Sequence, residues 1–341
     1  MKAAIYNPYL NTLGGGERYT LTFAKVLLDN GYKVDLEWKD EDIKEKLETR
    51  FGMDLSKINI VSDIKRGDGY DLCFWVSDGS IPTLKSRKNI LHFQVPFHDV
   101  NGKSLINKMK LFRINRIVCN SNFTKEVVDK EYGIDSIVVY PPVPVEQIKP
   151  RRKENIILYV GRFSELKQNK GQEVLIKEFK NLNDSGIKDW KLVLAGGTEV
   201  GSDDFLKRLE EASLSYPIEL VKSPSFKELL EIYGKAKIFW SASGFGVDEQ
   251  NNPEAVEHFG ITVVEAMAAG AVPIIYSSGG HKEIIDNGNN GFLWEKTSDL
   301  LDESIKLMKS NSLLRTISEK AQIDSKKYDY EKFKDSIQKI I

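Results

Sequence analysis

The first 37 residues of the chain alternate between strand and helix patterns around a run of three glycines. Lys2–Tyr6 is a short apolar run, Gly14–Gly16 follows it, and apolar residues then recur at helical spacing between residues 19 and 27. A strand pattern returns at Lys33–Glu37. Strand, glycine turn, helix and strand make a βαβ unit, whose strands are parallel and whose crossover is right-handed. This feature predicts an α/β protein built on a parallel sheet.

A second alternation of strands and helices begins near residue 155, after a proline- and charge-rich segment at residues 140–153. A length of 341 residues suits about two domains. We therefore predict two doubly wound domains over 1–145 and 146–325, and a C-terminal helix over 326–341 that packs back on the N-terminal domain. Ligands of such sheets bind outside the carboxyl ends of the strands, so functional residues are expected on the loops that follow strands.

The charge of the chain is balanced, with 49 basic and 50 acidic residues and a net charge of −1. This balance argues against a broadly basic nucleic-acid-binding protein. No apolar run reaches the ~18–20 residues of a transmembrane helix, and the N-terminus lacks the apolar core of a secretory signal, so we expect a cytoplasmic location. Cys73 and Cys119 are predicted to be buried free thiols, and four histidines without metal-ligand spacing predict no metal site.

The glycine run is the first candidate binding site. A glycine-rich turn before a helix lets the backbone N–H groups of Gly15 and Gly16 approach an anion, and the helix N-terminus adds about half a positive charge. The run matches neither the dinucleotide fingerprint nor a phosphate loop ending in Gly-Lys-Ser/Thr. A turn with a purely structural role is the alternative interpretation.

A second candidate follows the first strand of the C-terminal half, where Arg162 comes directly after Gly161 and Lys167 and Lys170 lie downstream. A guanidinium and an ammonium on one loop can clamp a diphosphate through charge-assisted hydrogen bonds. A solvated charged loop is the alternative, but the predicted place of this loop at a strand end favours a binding role.

The strongest candidate is the segment Glu257–Gly270, in which seven residues separate Glu257 from Glu265. Gly260 allows a tight turn between them, and Glu265 is expected in the first turn of the next helix, where a carboxylate stays ionised. Two such carboxylates can accept hydrogen bonds from hydroxyls at two places on one ligand.

Two loops flank this segment. Ser277–Glu283 follows a strand and contains a glycine pair, which predicts a further anion or hydroxyl site, with an ordinary capped loop as the alternative. The loop over residues 244–256 is predicted to be either a lid over a ligand or a surface excursion.

Gly161-Arg162 with Lys170, the segment Glu257–Gly270 and the pair Gly279-Gly280 resemble the retaining, nucleotide-sugar-dependent glycosyltransferases of family 4. The resemblance extends over the whole chain and is densest from 155 to 295. The sequence of the Glu257–Gly270 motif most resembles that of mannosyltransferases that elongate lipid-linked oligosaccharides. It implies the GT-B fold: two facing Rossmann-like domains with a cleft between them, an N-terminal acceptor domain and a C-terminal nucleotide-sugar donor domain.

The resemblance also implies roles for individual residues. Arg162 and a following lysine would hold the donor diphosphate, Glu257 would contact the donor sugar, and Glu265 would contact the ribose. Lys167 competes with Lys170 for the diphosphate, because the family commonly has a shorter spacing after the arginine. The rest of the donor site would comprise Gly15, Gly16, Phe259, Gly260 and Ile261. The family needs no metal, since two basic side chains can stabilise the departing diphosphate, so no cofactor is expected beside a GDP- or UDP-linked sugar.

A histidine after a strand of the N-terminal domain often lies near the transferred sugar in this family. The sequence offers His92 and His98, and His92 fits better because it stands at the end of a strand, four residues before Pro96. A histidine satisfied inside an apolar core is the alternative for His92.

These observations predict a hexosyltransferase that moves a hexose, with mannose favoured, to a hydroxyl of a glycan or lipid-linked glycan with retention of configuration. The predicted catalytic residues are Glu257, His92, Arg162 and Lys170. The alternatives are a sugar-nucleotide epimerase of the same fold and a catalytically silent nucleotide-binding protein.

A further segment, residues 103–116, interleaves basic and apolar side chains, and no acidic residue falls between residues 100 and 125. A basic amphipathic segment can lie on an anionic membrane surface, which would suit a lipid-carried acceptor and a peripheral location on the cytoplasmic membrane face. A solvated helix packed on the domain is the alternative.

Overall fold

The structure, a computed structural model, describes residues 1–164, 170–198 and 201–341. The chain forms two compact units. Unit 1 comprises Met1–Pro142 together with Tyr330–Ile341, and unit 2 comprises Val143–Asp329. Each unit is built on one parallel sheet, which confirms the predicted α/β class with two doubly wound halves.

Unit 1 contains a seven-stranded sheet within the described residues, with the order β3-β2-β1-β4-β5-β6-β7. Its strands are β1 (Lys2–Tyr6), β2 (Lys33–Glu37), β3 (Ile58–Val61), β4 (Leu72–Val76), β5 (Lys88–Phe93), β6 (Arg116–Cys119) and β7 (Ile137–Val138). Its helices are α1 (Gly15–Asp29), α2 (Ile43–Phe51), α3 (Leu105–Leu111) and α4 (Asn122–Tyr132), with the last helix of the chain, Tyr330–Gln338, added to them. The strand order reverses direction between β1 and β4, where sheets of this kind bind ligands.

The core of unit 1 covers both faces of its sheet. Ile5 and Phe74 belong to one buried cluster, and their neighbours Ala4 and Cys73 belong to another, as the two-residue period of a strand requires. Phe333, on the last helix, completes the first cluster. Cys73 and Cys119 are buried free thiols, as predicted.

Unit 2 contains a six-stranded sheet within the described residues, with the order β10-β9-β8-β11-β12-β13. Its strands are β8 (Glu154–Val160), β9 (Lys191–Gly196), β10 (Ile218–Lys222), β11 (Ala236–Ser241), β12 (Val272–Tyr276) and β13 (Phe292–Trp294). Its helices are α5 (Gln172–Asp184), α6 (Asp203–Ser213), α7 (Phe226–Lys235), α8 (Ile261–Ala268), α9 (His281–Ile284), α10 (Thr297–Lys309) and α11 (Asn311–Ser325). The helix that follows them, α12 (Tyr330–Gln338), belongs to unit 1. The loops after β8, β11 and β12 carry the candidate site.

Two strands of the structure, β3 and β13, have no clear strand pattern in the sequence. Both lie at a sheet edge and span only four and three residues. A half-exposed edge strand of this length shows too few alternations for its period to stand out from a loop.

Candidate active site

Lys170 and Glu257 form an ion pair in unit 2, with 2.9 Å between Lys170 Nζ and Glu257 Oε2. Their side chains are only 12% and 24% exposed. Lys170 precedes Gly171, which begins α5 with a left-handed backbone (φ +71°), and a Cβ at Gly171 would lie 2.6 Å from the Cβ of Ala242. Glycine is therefore needed there to bring the lysine against the loop that follows β11.

Glu257 is ionised in this environment. Burial acts to raise the pKa of its carboxyl, but the positive charge and hydrogen bond of Lys170 outweigh burial and lower the pKa to about 2. His281 and His258 act in the same direction. His281 is itself buried, and burial lowers its pKa despite the nearby Glu257 carboxylate. The site thus holds a fixed negative charge that can accept hydrogen bonds from hydroxyls.

The hydroxyl of Tyr159, near the end of β8, is fully buried and has no hydrogen-bond partner among the described residues. Burial raises the pKa of Tyr159 well above its usual range, the negative charge of Glu257 adds to this, and the positive charge of Arg162 opposes it. Both charges therefore act at this hydroxyl. Tyr159 is not among the residues predicted for the site, because the sequence of an apolar strand does not show where a tyrosine hydroxyl lies.

The backbone around Arg162 is held in place by tight packing. Gly161 leaves room for Tyr159, since a Cβ there would lie 2.1 Å from the phenol oxygen. Gln172 Nε2 donates to the carbonyl of Arg162 at 2.8 Å, and Gln172 is itself fully buried. The backbone at Arg162 is therefore fixed by Gln172, which lies two residues after Lys170. Lys167, the competing candidate for the diphosphate, lies outside the described residues.

The glycine pair packs directly on the backbone of the glutamate segment. A Cβ at Gly279 would lie 2.2 Å from the carbonyl oxygen of Glu257, and one at Gly280 would lie 2.4 Å from that of His258. Gly280 N–H donates to the Glu257 carbonyl at 2.8 Å. Gly260 has a left-handed backbone (φ +114°) and begins α8, which confirms the predicted turn.

Glu265 does not lie in the first turn of a helix, and that expectation was wrong. The left-handed Gly260 starts α8 at Ile261, so Glu265 is its fifth residue, in the second turn. Its carboxylate is instead oriented by Tyr233, whose hydroxyl donates to Glu265 Oε2 at 2.8 Å in the interior. Phe259 is also buried and packs against Tyr328, so its side chain belongs to the core.

The loop over residues 244–256 is anchored on the glycine pair. Glu249 Oε2 accepts from Gly279 N–H at 2.8 Å, and Glu249 Oε1 accepts from Lys282 Nζ at 2.5 Å. Gly244 approaches Ser278 so closely that a Cβ would lie 2.3 Å from its hydroxyl oxygen. The backbone amide of Gly279, predicted to bind an anion or hydroxyl, is thus bound by a carboxylate of the chain itself.

In the glycine run of unit 1, a carboxylate of the chain likewise binds a backbone amide. Glu17, which is 2% exposed, accepts from Gly14 N–H at 2.6 Å and from the Thr12 hydroxyl at 2.7 Å. A Cβ at Gly16 would lie 1.9 Å from the side-chain oxygen of Gln94. The run thus begins a capped helix with Gly15 as the first residue of α1, and anion binding by the N–H groups of Gly15 and Gly16 stays a prediction.

His92 occupies the core of unit 1 rather than an accessible position. Its ring is fully buried, stacks on Tyr19 with 4.1 Å between centroids, and contacts the carbonyl of Val118 through Nδ1 at 3.2 Å. Burial lowers the pKa of His92 to about 3, so the imidazole is neutral near pH 7. The structure places His92 in the core but leaves its Nε2 without a partner among the described residues, and a catalytic role for His92 stays a prediction. His98 is partly exposed and lies 3.5 Å from Asp99.

Within the described ranges, no group of three or more His, Cys, Asp and Glu side chains is arranged to hold a metal ion. Of the candidate residues, Arg162, Lys170, Glu257, Phe259, Gly260, Ile261 and Glu265 lie in unit 2, and Gly15, Gly16 and His92 lie in unit 1. The described chemistry of unit 2 is therefore an ionised carboxylate paired with Lys170, and a phenol without a described partner on which the charges of Glu257 and Arg162 both act.

The chain belongs to the glycosyl transferases group 1 family, whose model matches residues 145–324, more than half of the chain. It is similar to an uncharacterized glycosyltransferase of Methanocaldococcus jannaschii, at 28% identity over 75% of this chain and 70% of that protein. It is also similar to a GDP-Man:Man(3)GlcNAc(2)-PP-Dol alpha-1,2-mannosyltransferase of Neurospora crassa, at 28% identity over 50% of this chain. The chain spans only 34% of the length of that mannosyltransferase.

Among solved structures, the chain resembles Anabaena HepE in complex with UDP-glucose, with a TM-score of 0.78 over 99% of this chain and 98% of the other. The identity is 18%, so this likeness shows the fold alone. The fold is GT-B, with one Rossmann-like sheet in each unit. The protein is thus a glycosyltransferase of group 1.

Proposed function

We propose that this protein is a retaining hexosyltransferase that takes its hexose, with mannose favoured, from a nucleotide diphosphate sugar. The proposed acceptor is a hydroxyl of a glycan or lipid-linked glycan. The observation that carries the proposal is the buried Lys170–Glu257 pair, 2.9 Å across, beside the charge of Arg162. Hydroxyls of a sugar need acceptors and phosphates need cations, and this arrangement offers both on adjoining strand-end loops.

The proposed mechanism assigns each group one task. Arg162 and Lys170 bind the diphosphate and stabilise the charge that develops on it as the glycosidic bond breaks. Glu257 orients the hexose through its hydroxyls, and Glu265 holds the ribose. The acceptor oxygen bonds to the anomeric carbon on the face from which the diphosphate departs, and the hydroxyl proton passes to a diphosphate oxygen. Retention follows because attack and departure share one face.

Two observations support the choice of donor. Relatives that match this chain are named as GDP-mannose-dependent transferases, and a solved structure of the same fold holds UDP-glucose. The first favours mannose carried on GDP, and the second keeps a UDP-linked hexose as the other candidate.

The donor is tested by incubating the purified protein with GDP-mannose, UDP-glucose and ADP-glucose, with and without a mannoside acceptor, followed by mass spectrometry. We expect a mannosylated product of retained configuration from GDP-mannose only when acceptor is present. An isomerised donor formed without acceptor would instead identify an epimerase, and nucleotide binding with no product from any donor would identify a silent binding protein. Transfer with inversion would overturn the proposed mechanism.

We also propose that residues 103–116 contact an anionic membrane surface. Leu105, Ile106, Met109 and Phe112 are 75%, 66%, 65% and 91% exposed, and their spacing places them on one side of α3 and its end. Lys103, Lys108, Lys110, Arg113 and Arg116 surround them. Apolar side chains that enter the headgroup region and lysines that meet anionic lipids are the two contributions to such binding. Among the described helices, none has the length and apolarity to cross a membrane.

This contact is tested by sedimentation with vesicles of phosphatidylglycerol and phosphatidylcholine. The double variant Leu105→Ser/Phe112→Ser should lower vesicle binding at least tenfold, since each buried large apolar side chain contributes roughly 1.5–3 kcal/mol. Leu214→Ser is the matched control, because Leu214 is 69% exposed in unit 2. Equal loss in the control, or equal binding to purely neutral vesicles, would contradict the proposal.

A further inference from the structure

Two neighbouring helices of unit 2, α7 and α8, are joined by a buried hydrogen bond between side chains. The hydroxyl of Tyr233 on α7 donates to Glu265 Oε2 on α8 at 2.8 Å, and the two residues are only 1% and 6% exposed. Glu265 is the residue proposed to hold the ribose of the donor. The orientation that Tyr233 gives to this carboxylate therefore bears directly on nucleotide binding.

The bond from Tyr233 can orient the Glu265 carboxylate without blocking it. A carboxylate has two oxygens and about four lone-pair positions, so a bond from one phenol is compatible with further bonds from the hydroxyls of a ligand. The ring of Tyr233 is fixed by burial and packs near Phe239, with 6.5 Å between ring centroids. A partner locked by packing holds a binding group within the narrow range of geometry that recognition needs.

A lysine joins the C-terminal ends of the same two helices. Lys153, the residue before β8, donates from Nζ to the carbonyls of Ala236 and Ala269, both at 2.7 Å. These two alanines are the C-cap residues of α7 and α8. The last carbonyls of a helix lack partners within the helix and carry partial negative charge. An amine that bonds to both ends therefore sets the distance between the helices that carry Tyr233 and Glu265.

The surroundings of Lys153 support this role. Burial lowers the pKa of Lys153 to about 7, but the amine keeps at least two N–H groups in either protonation state, enough for both carbonyls. The segment before it is packed on the end of α7, because Arg151 N–H donates to the carbonyl of Gly234 at 3.0 Å and a Cβ at Gly234 would lie 2.8 Å from Arg151 Cγ. Gly234 directly follows Tyr233 in the chain, so the same packing fixes the backbone from which the phenol extends.

We propose that Tyr233 and Lys153 are positioning residues that set the preference of the site for ribose hydroxyls. Tyr233 orients the Glu265 carboxylate, and Lys153 holds α7 and α8 at the separation that this contact requires. Both roles rest on the proposed function of Glu265 in holding the ribose. An acceptor held in one orientation favours a nucleotide with ribose hydroxyls over one without them, because the analogue that lacks the hydroxyl leaves the buried acceptor unpaired.

The experiment compares the calorimetric binding of GDP with that of 2′,3′-dideoxy-GDP, and runs UDP and 2′,3′-dideoxy-UDP beside them. The measured quantity is the ribose preference, which is the ratio of the affinities of the ribose form and the dideoxy form of the tighter nucleotide. We expect a preference of at least tenfold in the wild type. Tyr233→Phe, which keeps the ring, and Lys153→Met should each lower the preference at least threefold, while the affinity for the dideoxy form stays within twofold.

Matched controls change the same residue types elsewhere in unit 2. Tyr216→Phe removes a hydroxyl that donates to Asp184 at 2.9 Å, and Lys237→Met removes an amine that donates to Asn155 at 2.6 Å. Both controls should keep the wild-type ribose preference.

Glu265→Gln shows whether the two residues act through Glu265. Adding Tyr233→Phe or Lys153→Met to Glu265→Gln should lower the ribose preference no further, because the group on which they act has already been changed. Losses that multiply in these double variants would overturn the inference. An unchanged preference in Tyr233→Phe and Lys153→Met would also overturn it, as would equal weakening of the ribose and dideoxy forms, which is the result of a purely structural contact.

Glycosyl transfer to the mannoside acceptor is followed in parallel in the wild type. Transfer without any ribose preference would overturn the role of Glu265 and this inference with it, and would leave the transferase function standing. Absence of both nucleotide binding and transfer would contradict the proposed function itself.

Discussion

Glu257→Gln should lower the turnover number for glycosyl transfer by roughly 10²–10³-fold, the cost of removing one oriented electrostatic group from a water-poor site. The substitution keeps the shape of the side chain and removes the negative charge that Lys170 holds at 2.9 Å. Binding of free nucleoside diphosphate should change far less than turnover, because Glu257 is proposed to contact the hexose and to act on the diphosphate only through Lys170. Steady-state kinetics with the donor that the incubation test identifies gives the turnover number. Calorimetric titration with the corresponding nucleoside diphosphate gives its affinity.

Stability needs a separate measurement, because the ion pair also contributes to folding. The pKa of Glu257 falls from 4.5 to about 2, so its ionised form stabilises the fold above about pH 4.5. This contribution, roughly 3 kcal/mol, is lost as pH falls toward 2. Glu257→Gln should remove it at neutral pH and take the Glu257 charge away from the largely buried Lys170. Urea unfolding at pH 7 and pH 3 should show the variant closer to the wild type at the lower pH.

The double variant Glu257→Gln/Lys170→Met separates the two effects. Replacing both partners of a largely buried pair is far milder than removing one, so the double variant should regain most of the free energy of unfolding while activity stays low. Glu249→Gln is the comparison, since Glu249 lies in the loop that follows β11 and also pairs with a lysine, Lys282 of α9. Recovery of turnover together with stability in the double variant would contradict a role of Glu257 in transfer, as would an equal loss in Glu249→Gln.

The fold could be predicted from the sequence because the patterns that indicate strands, turns and helices each extend over a few neighbouring residues. Glycine turns, capping residues and strand periods repeat along the chain. One example is the capping box Ser225–Glu228 at the start of α7, where the Ser225 hydroxyl accepts from Glu228 N–H. Edge strands such as β3 and β13 escaped because they bury too little apolar surface to show a period.

The candidate site could be predicted only in part, because its contacts join residues that are far apart in the sequence. Lys170 and Glu257 were each identified from local spacing, but their pairing spans 87 positions and becomes visible only in three dimensions. Glu17 and Glu249 each close a glycine turn that was predicted to bind an anion, because a turn that can bind a ligand carboxylate or phosphate can equally bind a carboxylate of its own chain.

Arg162→Ala should weaken binding of the nucleoside diphosphate by roughly 10–150-fold, the loss expected for one charge-assisted hydrogen bond of about 1.5–3 kcal/mol. Binding of the corresponding nucleoside, which lacks phosphates, should stay within twofold. Titration calorimetry at one fixed ionic strength gives both values, because salt screens the charge contribution. Lys188→Ala provides the control, since Lys188 is a surface cation of unit 2 with a 64% exposed side chain.

The same titration decides between the two lysines. Lys170 is already bound to Glu257, so a diphosphate must share its ammonium with that carboxylate, whereas Lys167 lies outside the described residues. Three donor protons on one ammonium allow this sharing, and the Glu257 carboxylate would keep the lysine charged and aimed. We therefore expect Lys170→Met to weaken diphosphate binding as strongly as Arg162→Ala, and Lys167→Met to weaken it far less. The reverse order would assign the diphosphate to Lys167 and leave Lys170 to position Glu257, and unchanged affinity in Arg162→Ala would remove that arginine from the phosphate site.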